Sequence, residues 1–184
     1  LWPLFHYFPS FVEFDDVTFR AYEEVNRIFA DKLLSILQPN DILWIHDYQL
    51  MLVPDMIRQQ RPNATIGFFL HIPFPSFEIF RLLHRPWKEK IVMGLLGADL
   101  IGFHTHEYVQ HFLKTVQMVT GFDHQFRSIL LGSRVVKADL FPLGIDFEKF
   151  HNASKNPKVI AEKNSIRGSF TDKKIIFSVD RLDY

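Results

Sequence analysis

Four short apolar runs in the sequence each end next to a residue that can take part in chemistry. The runs cover 42–45, 66–70, 100–103 and 175–179, and the residues that follow them are His46 with Asp47, His71, His104 with Thr105, and Asp180 with Arg181. Continuous apolar runs of this length predict strands that are buried on both faces of a parallel sheet. Because ligands of such sheets bind beyond the carboxyl ends of the strands, the polar strand ends indicate a binding crevice.

Helical periodicity fills the segments between these runs. The longest amphipathic segment covers 17–37, and its apolar positions, at three- and four-residue steps, are Tyr22, Val25, Ile28, Phe29, Leu33, Ile36 and Leu37. Further helices are predicted at 49–60, 77–83, 87–96, 107–119 and 158–164, and a further strand at 134–141. The stretch 71–75 contains two prolines and predicts a stiff loop. Strands that alternate with helices predict an α/β fold, a Rossmann-like parallel sheet with flanking helices.

The composition changes after residue 150, which predicts two parts of a longer protein. We expect 1–150 to be the later part of one Rossmann-like domain. We expect the polar stretch from His151 to Lys174 to form the crossover to a second domain. The first strand of that domain is then 175–179, and the whole of 151–184 belongs to the crossover and the second domain. The chain has no initiating Met and opens inside an apolar stretch, and we therefore expect a fragment of a larger protein.

Charge and composition exclude several classes of function. The 21 Lys and Arg residues balance 21 Asp and Glu residues, so nothing indicates an electrostatic nucleic-acid binder. No apolar run approaches the ~18–20 residues that span a bilayer, and no secretory signal opens the chain. The absence of cysteine excludes disulfides, thiolate zinc sites and cysteine nucleophiles. We therefore expect a cytoplasmic protein with no membrane partner.

Asp47, Arg181 and Trp2 each allow a ligand-binding interpretation and a structural one. Asp47 is suited to accept hydrogen bonds from sugar hydroxyls or to orient His46, and equally to cap the next helix. Arg181 suits a phosphate group because its planar fork binds bidentately, although an ion pair with Asp183 explains it equally well. The ring of Trp2 suits a sugar face, whereas the aromatic residues around it are expected to lie mostly in the core. The pattern alone leaves these alternatives open.

His71 stands between an apolar run and the stiff loop, where it either contacts a ligand or is a hydrogen-bonded core histidine. A lone histidine favours the core interpretation, and the stiff loop adds support for a ligand contact, because positioning requires a fixed environment. A metal-dependent hydrolase is a separate hypothesis, built on His46, Asp47, His71, His104 and His106. No other carboxylate stands at metal-ligand spacing nearby, so we expect no metal.

Six sequence strings together resemble the trehalose-6-phosphate synthase family in order and spacing. They are LWPLFHY at 1–7, WIHDY at 44–48, GFFLHIPFP at 67–75, GFHT at 102–105, FPLGID at 141–146 and SVDRLDY at 178–184. The resemblance covers essentially the whole chain and implies part of a GT-B glycosyltransferase fold, in which two Rossmann-like domains face each other across a cleft. It also implies transfer of glucose from UDP-glucose to glucose 6-phosphate, with retention of anomeric configuration, α,α-trehalose 6-phosphate as product, and no catalytic metal or other cofactor.

The resemblance further implies roles for four residues. Trp2 and Asp47 would contact the glucose 6-phosphate acceptor, and His71 would lie near the transferred glucose and the reacting bond. Arg181 would bind the diphosphate of UDP-glucose and stabilise charge on the leaving UDP. No protein nucleophile is implied, because the leaving phosphate itself helps to deprotonate the acceptor hydroxyl. Catalysis would then depend on positioning and electrostatic stabilisation.

The resemblance leaves related functions open. The same motifs fit a glucosylglycerol-phosphate synthase, which uses glycerol 3-phosphate as acceptor, and a pseudo-glycosyltransferase that makes a sugar-like C–N linkage. They also fit a non-catalytic regulatory homologue. The identity of the nucleotide, a homo-oligomeric state of the full-length protein and the presence of a phosphatase domain also stay open. Parts of the family's diphosphate and ribose sites are missing from the 184 residues, so we expect the chain alone to be inactive.

Overall fold

The computed structural model describes residues 1–170 and 172–179, which fall into two compact units. The first unit is Leu1–Leu143, and the second begins at Gly144. The helices of the first unit are α1 (Trp2–Phe5), α2 (Asp16–Ile36), α3 (Val53–Gln60), α4 (Phe77–Phe80), α5 (Arg85–Leu96) and α6 (His106–Thr120). Its strands are β1 (Ile42–His46), β2 (Thr65–Phe69), β3 (Leu100–Phe103), β4 (His124–Gln125), β5 (Ser128–Leu131) and β6 (Arg134–Leu140). The helices of the second unit are α7 (Phe147–Ala153) and α8 (Pro157–Gly168).

One six-stranded sheet runs through the first unit in the order β1-β2-β3-β6-β5-β4. β1, β2, β3 and β6 are parallel, and β5 and β4 add an antiparallel edge. The register aligns one row of buried side chains across the parallel strands, formed by Ile45, Phe68, Ile101 and Ala138. The predicted α/β fold with a Rossmann-like, mostly parallel sheet is therefore confirmed, and its core lies on the face that carries this row.

Helices cover one face of the parallel strands. β2, β3 and β6 are each added on the same side of the preceding strand, and right-handed crossovers then place α3, α5 and α6 on a single face. On the opposite face, Ile42 is 74% exposed and Trp44 is 69% exposed. The expectation that the strands are buried on both faces is therefore wrong for the described residues, because all the crossover helices pack on one side.

The long helix α2 confirms the segment predicted at 17–37. Of its predicted apolar row, Tyr22, Leu33 and Leu37 pack against the core, but the buried row also includes residues that the periodicity did not single out. Asp15 caps the helix by accepting hydrogen bonds from the backbone N–H groups of Val17 and Thr18. The side chains of Asn26 and Ala30 are buried. Four of the apolar residues that the periodicity singled out are instead exposed, namely Val25, Ile28, Phe29 and Ile36. The observed row is favoured because Ala30 is small and Asn26 hydrogen-bonds the chain that leads into α3.

Helix α3 begins at Val53, later than the segment predicted at 49–60. A short 3₁₀ turn, Tyr48–Leu50, precedes it. Pro54 explains the difference, because proline has no N–H to donate and is tolerated in the first turn of a helix but not further inside. A helix that began at Gln49 would require that missing hydrogen bond. The chain between Asp47 and α3 is consequently irregular.

The other elements predicted for the first unit are present, with shifts at their ends. The segments predicted at 77–83, 87–96, 107–119 and 134–141 correspond to α4, α5, α6 and β6. Gly121 follows α6 in the left-handed conformation, with φ at 74°, and so ends that helix. The 71–75 loop contains no helix. The sequence pattern missed β4 and β5, which are too short to show a period.

In the second unit, α8 confirms the helix predicted near 158–164, whereas α7 was missed. The strand predicted at 175–179 is not formed in the described residues, where Ile176 is 98% exposed. A strand needs a neighbour for its backbone N–H and C=O groups, and the described part of this unit contains no other strand. The domain boundary at residue 150 stays a prediction. Across the described ranges, no helix has the length and hydropathy of a membrane-spanning segment.

Arg58 of α3 ties this helix to the amino-terminal ends of β2 and β3. Its guanidinium donates hydrogen bonds of 2.6–3.0 Å to Gly97 O, Pro62 O, Ala64 O and Asp99 Oδ1. Asp99 Oδ2 in turn accepts a hydrogen bond from the backbone N–H of Ile66. The Arg58 side chain is only 12% exposed, so water replaces these bonds poorly if they are lost. This network holds the strands at the end of the sheet opposite to His46.

We expect Arg58→Ala to lower the free energy of unfolding by about 3 kcal/mol, because it leaves partly buried acceptors unpaired. Arg85 provides a matched control, since its side chain is 86% exposed and pairs with Glu89 on the surface of α5. Arg85→Ala should leave the unfolding midpoint nearly unchanged. Urea denaturation of both variants in the full-length protein measures the difference. Equal midpoints would contradict a structural role for Arg58.

Candidate functional site

The carboxyl ends of β1, β2 and β3 lie side by side and bring three histidines together. The register pairs His46 with Phe69, and Phe69 with Gly102. His46 Nδ1 lies 2.9 Å from His71 Nε2, and the ring centroids of His71 and His104 are 5.8 Å apart. The side chains that the sequence predicts to converge beyond these three strands therefore do converge.

The Asp47 carboxylate joins the end of β1 to the loop after β2. Its Oδ1 accepts a hydrogen bond from the backbone N–H of His71 at 3.2 Å. Its own backbone N–H donates to Phe69 O at 2.8 Å. Asp47 directly precedes the Tyr48–Leu50 turn but makes no side-chain capping bond to it. Of the interpretations that the sequence left open, helix capping is therefore not supported, and the carboxylate contacts the strand-end cluster instead.

Asp47 adopts a backbone conformation that glycine normally occupies. Its φ is 69° and its ψ is 169°. A residue with a side chain in this region costs about 1–3 kcal/mol and persists only where surrounding contacts hold it. One such contact is the backbone N–H of Leu50, which donates to Asp47 O at 3.1 Å. Strain of this kind is concentrated at functional sites, and here it falls on the residue that links two strand ends.

The histidine rings of the cluster interact through a hydrogen bond and through ring contacts. In the His46–His71 hydrogen bond one ring nitrogen donates and the other accepts, so the tautomers of the two rings are coupled. Partial burial lowers the pKa of the His104 imidazole, and this effect outweighs the opposite influence of a hydrogen bond with the His71 backbone and of the nearby Asp47 carboxylate. His104 therefore keeps a neutral ring to lower pH than an exposed histidine does.

A cavity of about 460 Å³ opens beside the histidines on the uncovered face of the sheet. Its lining includes His46, Phe69, His71 and Gly102. Glycine is needed at position 102, because a Cβ there would lie 2.6 Å from Phe69 Cδ2 and 3.0 Å from Phe141 Cδ2. The volume falls within the range of small-molecule sites. The cluster therefore adjoins space for a ligand of sugar size.

A somewhat larger groove, of about 520 Å³, lies away from the strand ends among α2, α3 and α5. Its charged side chains include Lys90 and Glu23, which form an ion pair with each other. None of the site residues predicted from the sequence lines this groove. The strand-end cavity is therefore the better candidate site.

Trp2 lies in α1, which packs beside the loop that carries His71. Phe5 of the same helix is buried against Phe74 of that loop, with ring centroids 5.7 Å apart. The Trp2 ring stacks on His6 at 4.2 Å between centroids and is partly exposed. The buried Phe5 thus anchors the helix and leaves Trp2 near the surface.

The expectation that the aromatic residues around Trp2 lie mostly in the core holds for Phe5 but is wrong for Tyr7 and Phe8, which are exposed. The Tyr7 hydroxyl accepts a hydrogen bond from the backbone N–H of Ser76 at 2.9 Å. This polar contact keeps the ring at the surface, because the hydroxyl needs a partner that the apolar core lacks.

Other sequence candidates lie apart from the cluster or outside the described residues. His106 is the first residue of α6 and is exposed, and Thr105 caps that helix by accepting a hydrogen bond from the N–H of Tyr108. In residues 1–170 and 172–179, no group of three or more His, Cys, Asp or Glu side chains is arranged to hold a metal ion. Asp180 and Arg181 lie outside the described residues, and the role of Arg181 stays a prediction.

Sequence reasoning missed two residues that support the cluster from α2. Tyr22 and Asn26 hydrogen-bond the backbone that follows Asp47. A signal for them exists in the sequence, because Asn26 is a polar residue four positions from both Tyr22 and Ala30, on one row of the helix. A buried polar side chain on such a row requires a specific partner.

We expect Asp47→Gly to be more stable than Asp47→Ala by about 1–3 kcal/mol in free energy of unfolding. Both variants lose the carboxylate, but only glycine adopts φ of 69° without strain. The same pair at the exposed helical residue Asp31 is the control and should show the opposite order, because alanine favours a helix. Urea denaturation measures all four variants. An alanine variant at position 47 that equals or exceeds the glycine variant would contradict the strain.

The whole chain, residues 1–184, matches the model of glycosyltransferase family 20. The chain is 46% identical to the 56 kDa subunit of the UDP-forming alpha,alpha-trehalose-phosphate synthase of Kluyveromyces lactis, and the match covers 100% of this chain and 38% of that protein. It is 44% identical to UDP-forming alpha,alpha-trehalose-phosphate synthase A of Dictyostelium discoideum, with 100% of this chain and 25% of that protein covered. The chain therefore spans well under half the length of these curated relatives.

Solved structures share the fold. A UDP-forming alpha,alpha-trehalose-phosphate synthase from Burkholderia xenovorans gives a TM-score of 0.83 at 32% identity, covering 100% of this chain and 41% of that one. A structure from E. coli bound with UDP-2-fluoro glucose gives a TM-score of 0.79 at 34% identity, covering 90% of this chain and 37% of that one. A B. xenovorans synthase in complex with glucose-6-phosphate gives a TM-score of 0.75 at 28% identity, covering 90% of this chain and 38% of that one. The resemblance seen in the sequence motifs is thus confirmed, and the chain belongs to glycosyltransferase family 20.

Proposed function

We propose that the full-length protein transfers glucose from UDP-glucose to glucose 6-phosphate and forms α,α-trehalose 6-phosphate with retention of anomeric configuration. The observation that carries the proposal is the contact between Asp47 and His71 at the ends of β1 and β2, in a chain of glycosyltransferase family 20. Similar structures bound with UDP-2-fluoro glucose and with glucose-6-phosphate support both substrates. The family match also favours this reaction over the metal-dependent hydrolase considered from the sequence.

Asp47 and Trp2 bind the acceptor in this proposal. A carboxylate offers about four lone-pair positions. The His71 N–H occupies one of them, so Asp47 keeps capacity to accept hydrogen bonds from sugar hydroxyls. Its fixed backbone favours binding, because a group that is already ordered loses little freedom when the ligand arrives. The partly exposed Trp2 ring supplies an apolar face for the sugar ring.

His71 and Arg181 act on the donor side. His71, whose ring is held by His46, contacts the transferred glucose near the reacting bond. Arg181 binds the diphosphate through its planar guanidinium and stabilises the negative charge that develops on the leaving UDP. The leaving phosphate accepts the proton of the acceptor hydroxyl, so neither a protein nucleophile nor a metal ion takes part. The residues contribute by positioning the two substrates and by stabilising charge.

Release of UDP from UDP-glucose by the full-length protein tests this function. We expect release with glucose 6-phosphate as acceptor, together with a disaccharide phosphate product, and no release with glycerol 3-phosphate. Release with glycerol 3-phosphate alone would assign a glucosylglycerol-phosphate synthase. No release of UDP with either acceptor would contradict the proposal and would indicate a different donor or a regulatory homologue. The isolated 184-residue chain should be inactive in the same assay.

We expect Arg181→Ala to lower kcat/KM of the full-length enzyme by at least about 100-fold, because charge-assisted hydrogen bonds to phosphate contribute about 1.5–3 kcal/mol each. Arg181→Lys is the matched control, since it keeps the positive charge but loses the planar fork, and it should retain part of the activity. Circular dichroism verifies that both variants fold. An unchanged kcat/KM in a folded Arg181→Ala variant would exclude Arg181 from the donor site.

A further inference from the structure

The loop 48–52, which connects Asp47 to α3, is held from α2 by two side chains. The first is Tyr22, whose hydroxyl donates a hydrogen bond to Tyr48 O at 2.7 Å and accepts one from the backbone N–H of Met51 at 3.2 Å. Burial raises the pKa of the Tyr22 phenol, which therefore stays neutral and keeps its proton for Tyr48 O. One hydroxyl thus fixes both ends of the short turn.

The second side chain is Asn26, which is fully buried. Its Nδ2 donates to Gln49 O at 2.9 Å and to Tyr22 O at 2.8 Å, and its Oδ1 accepts a hydrogen bond from the backbone N–H of Leu52 at 3.1 Å. A buried amide is unfavourable unless its donors and acceptor are paired. Here the pairing is complete on both atoms, and two of the three bonds end on the backbone of loop 48–52.

These contacts complete the restraint on the strained residue Asp47. The peptide before Asp47 is held by the bond from its N–H to Phe69 O, and the peptide after it by the bond from Leu50 N–H to Asp47 O. Leu50 itself lies in the loop that Tyr22 and Asn26 hold on either side. When both neighbouring peptides are fixed, φ and ψ of the residue between them are fixed as well. A strained conformation requires this kind of surplus restraint.

We propose that Tyr22 and Asn26 are positioning residues for glucose 6-phosphate, because together they hold loop 48–52 and so keep the Asp47 carboxylate at the His71 N–H. The proposal rests on the proposed function, in which Asp47 binds the acceptor. Tyr22 and Asn26 act through the backbone, and they contact neither substrate. Loss of either contact lets Asp47 relax from its strained conformation, and the carboxylate then leaves the position in which it receives the sugar.

The test uses Tyr22→Phe and Asn26→Leu in the full-length enzyme. We expect each variant to raise KM for glucose 6-phosphate by about ten-fold while KM for UDP-glucose changes by less than about two-fold. A merely structural role would lower the amount of active enzyme, which reduces kcat and leaves both KM values unchanged. The control is Leu33→Ala on the same helix. Because Leu33 packs against the core, this substitution should lower Tm without any change in KM.

Amide hydrogen exchange supplies a readout that does not need turnover. Exchange of the Leu50 N–H, which is bonded to Asp47 O, should be faster in Tyr22→Phe than in the wild type and unchanged in Leu33→Ala. Tyr22→Phe removes one oxygen atom only, so it remains informative if Asn26→Leu does not fold. An active wild type with unchanged KM values and unchanged Leu50 exchange in Tyr22→Phe would overturn this proposal. An inactive wild type would instead overturn the proposed function.

Discussion

Asp47 is held in a backbone conformation that costs free energy, and the geometry of the candidate site depends on the contacts that hold it there. One contact comes from Phe69 on the neighbouring strand, and another from Leu50 in the turn that follows. This backbone conformation places the Asp47 carboxylate at the backbone N–H of His71. The resulting hydrogen bond links the ends of β1 and β2. The same residue therefore connects the packing of the sheet to the chemistry proposed for its edge.

The residues that stabilise the sheet and the residues of the candidate site lie in different parts of it. Its helices pack on one face, and the Arg58 network closes the amino-terminal ends of the strands. The histidines and Asp47 occupy the carboxyl ends, and the adjoining cavity opens on the uncovered face. Because the strands are parallel, these two sets of residues lie at opposite ends of the sheet. The register that Arg58 helps to hold is also the register that brings His46 and His71 together.

The sheet and the strand-end cluster were predictable because both follow from short-range pattern. Apolar runs predict parallel strands, and parallel strands bring the residues after them, such as His46 and Asp47, to one edge. The remaining features depend on tertiary contacts. Periodicity does not show that Asn26 faces the core, since its partners lie far along the chain. Pro54 moves the start of α3, and the apolar segment 175–179 forms no strand because the described part of the second unit, up to residue 179, contains no neighbouring strand.

A structure of the full-length protein with glucose 6-phosphate bound would show whether the strained Asp47 receives the acceptor at the end of β1. We expect a sugar hydroxyl within hydrogen-bonding distance of the Asp47 carboxylate, with φ of Asp47 still positive and the His71 N–H still donating to Oδ1. A sugar bound away from Asp47, or an Asp47 relaxed to negative φ in the complex, would contradict it.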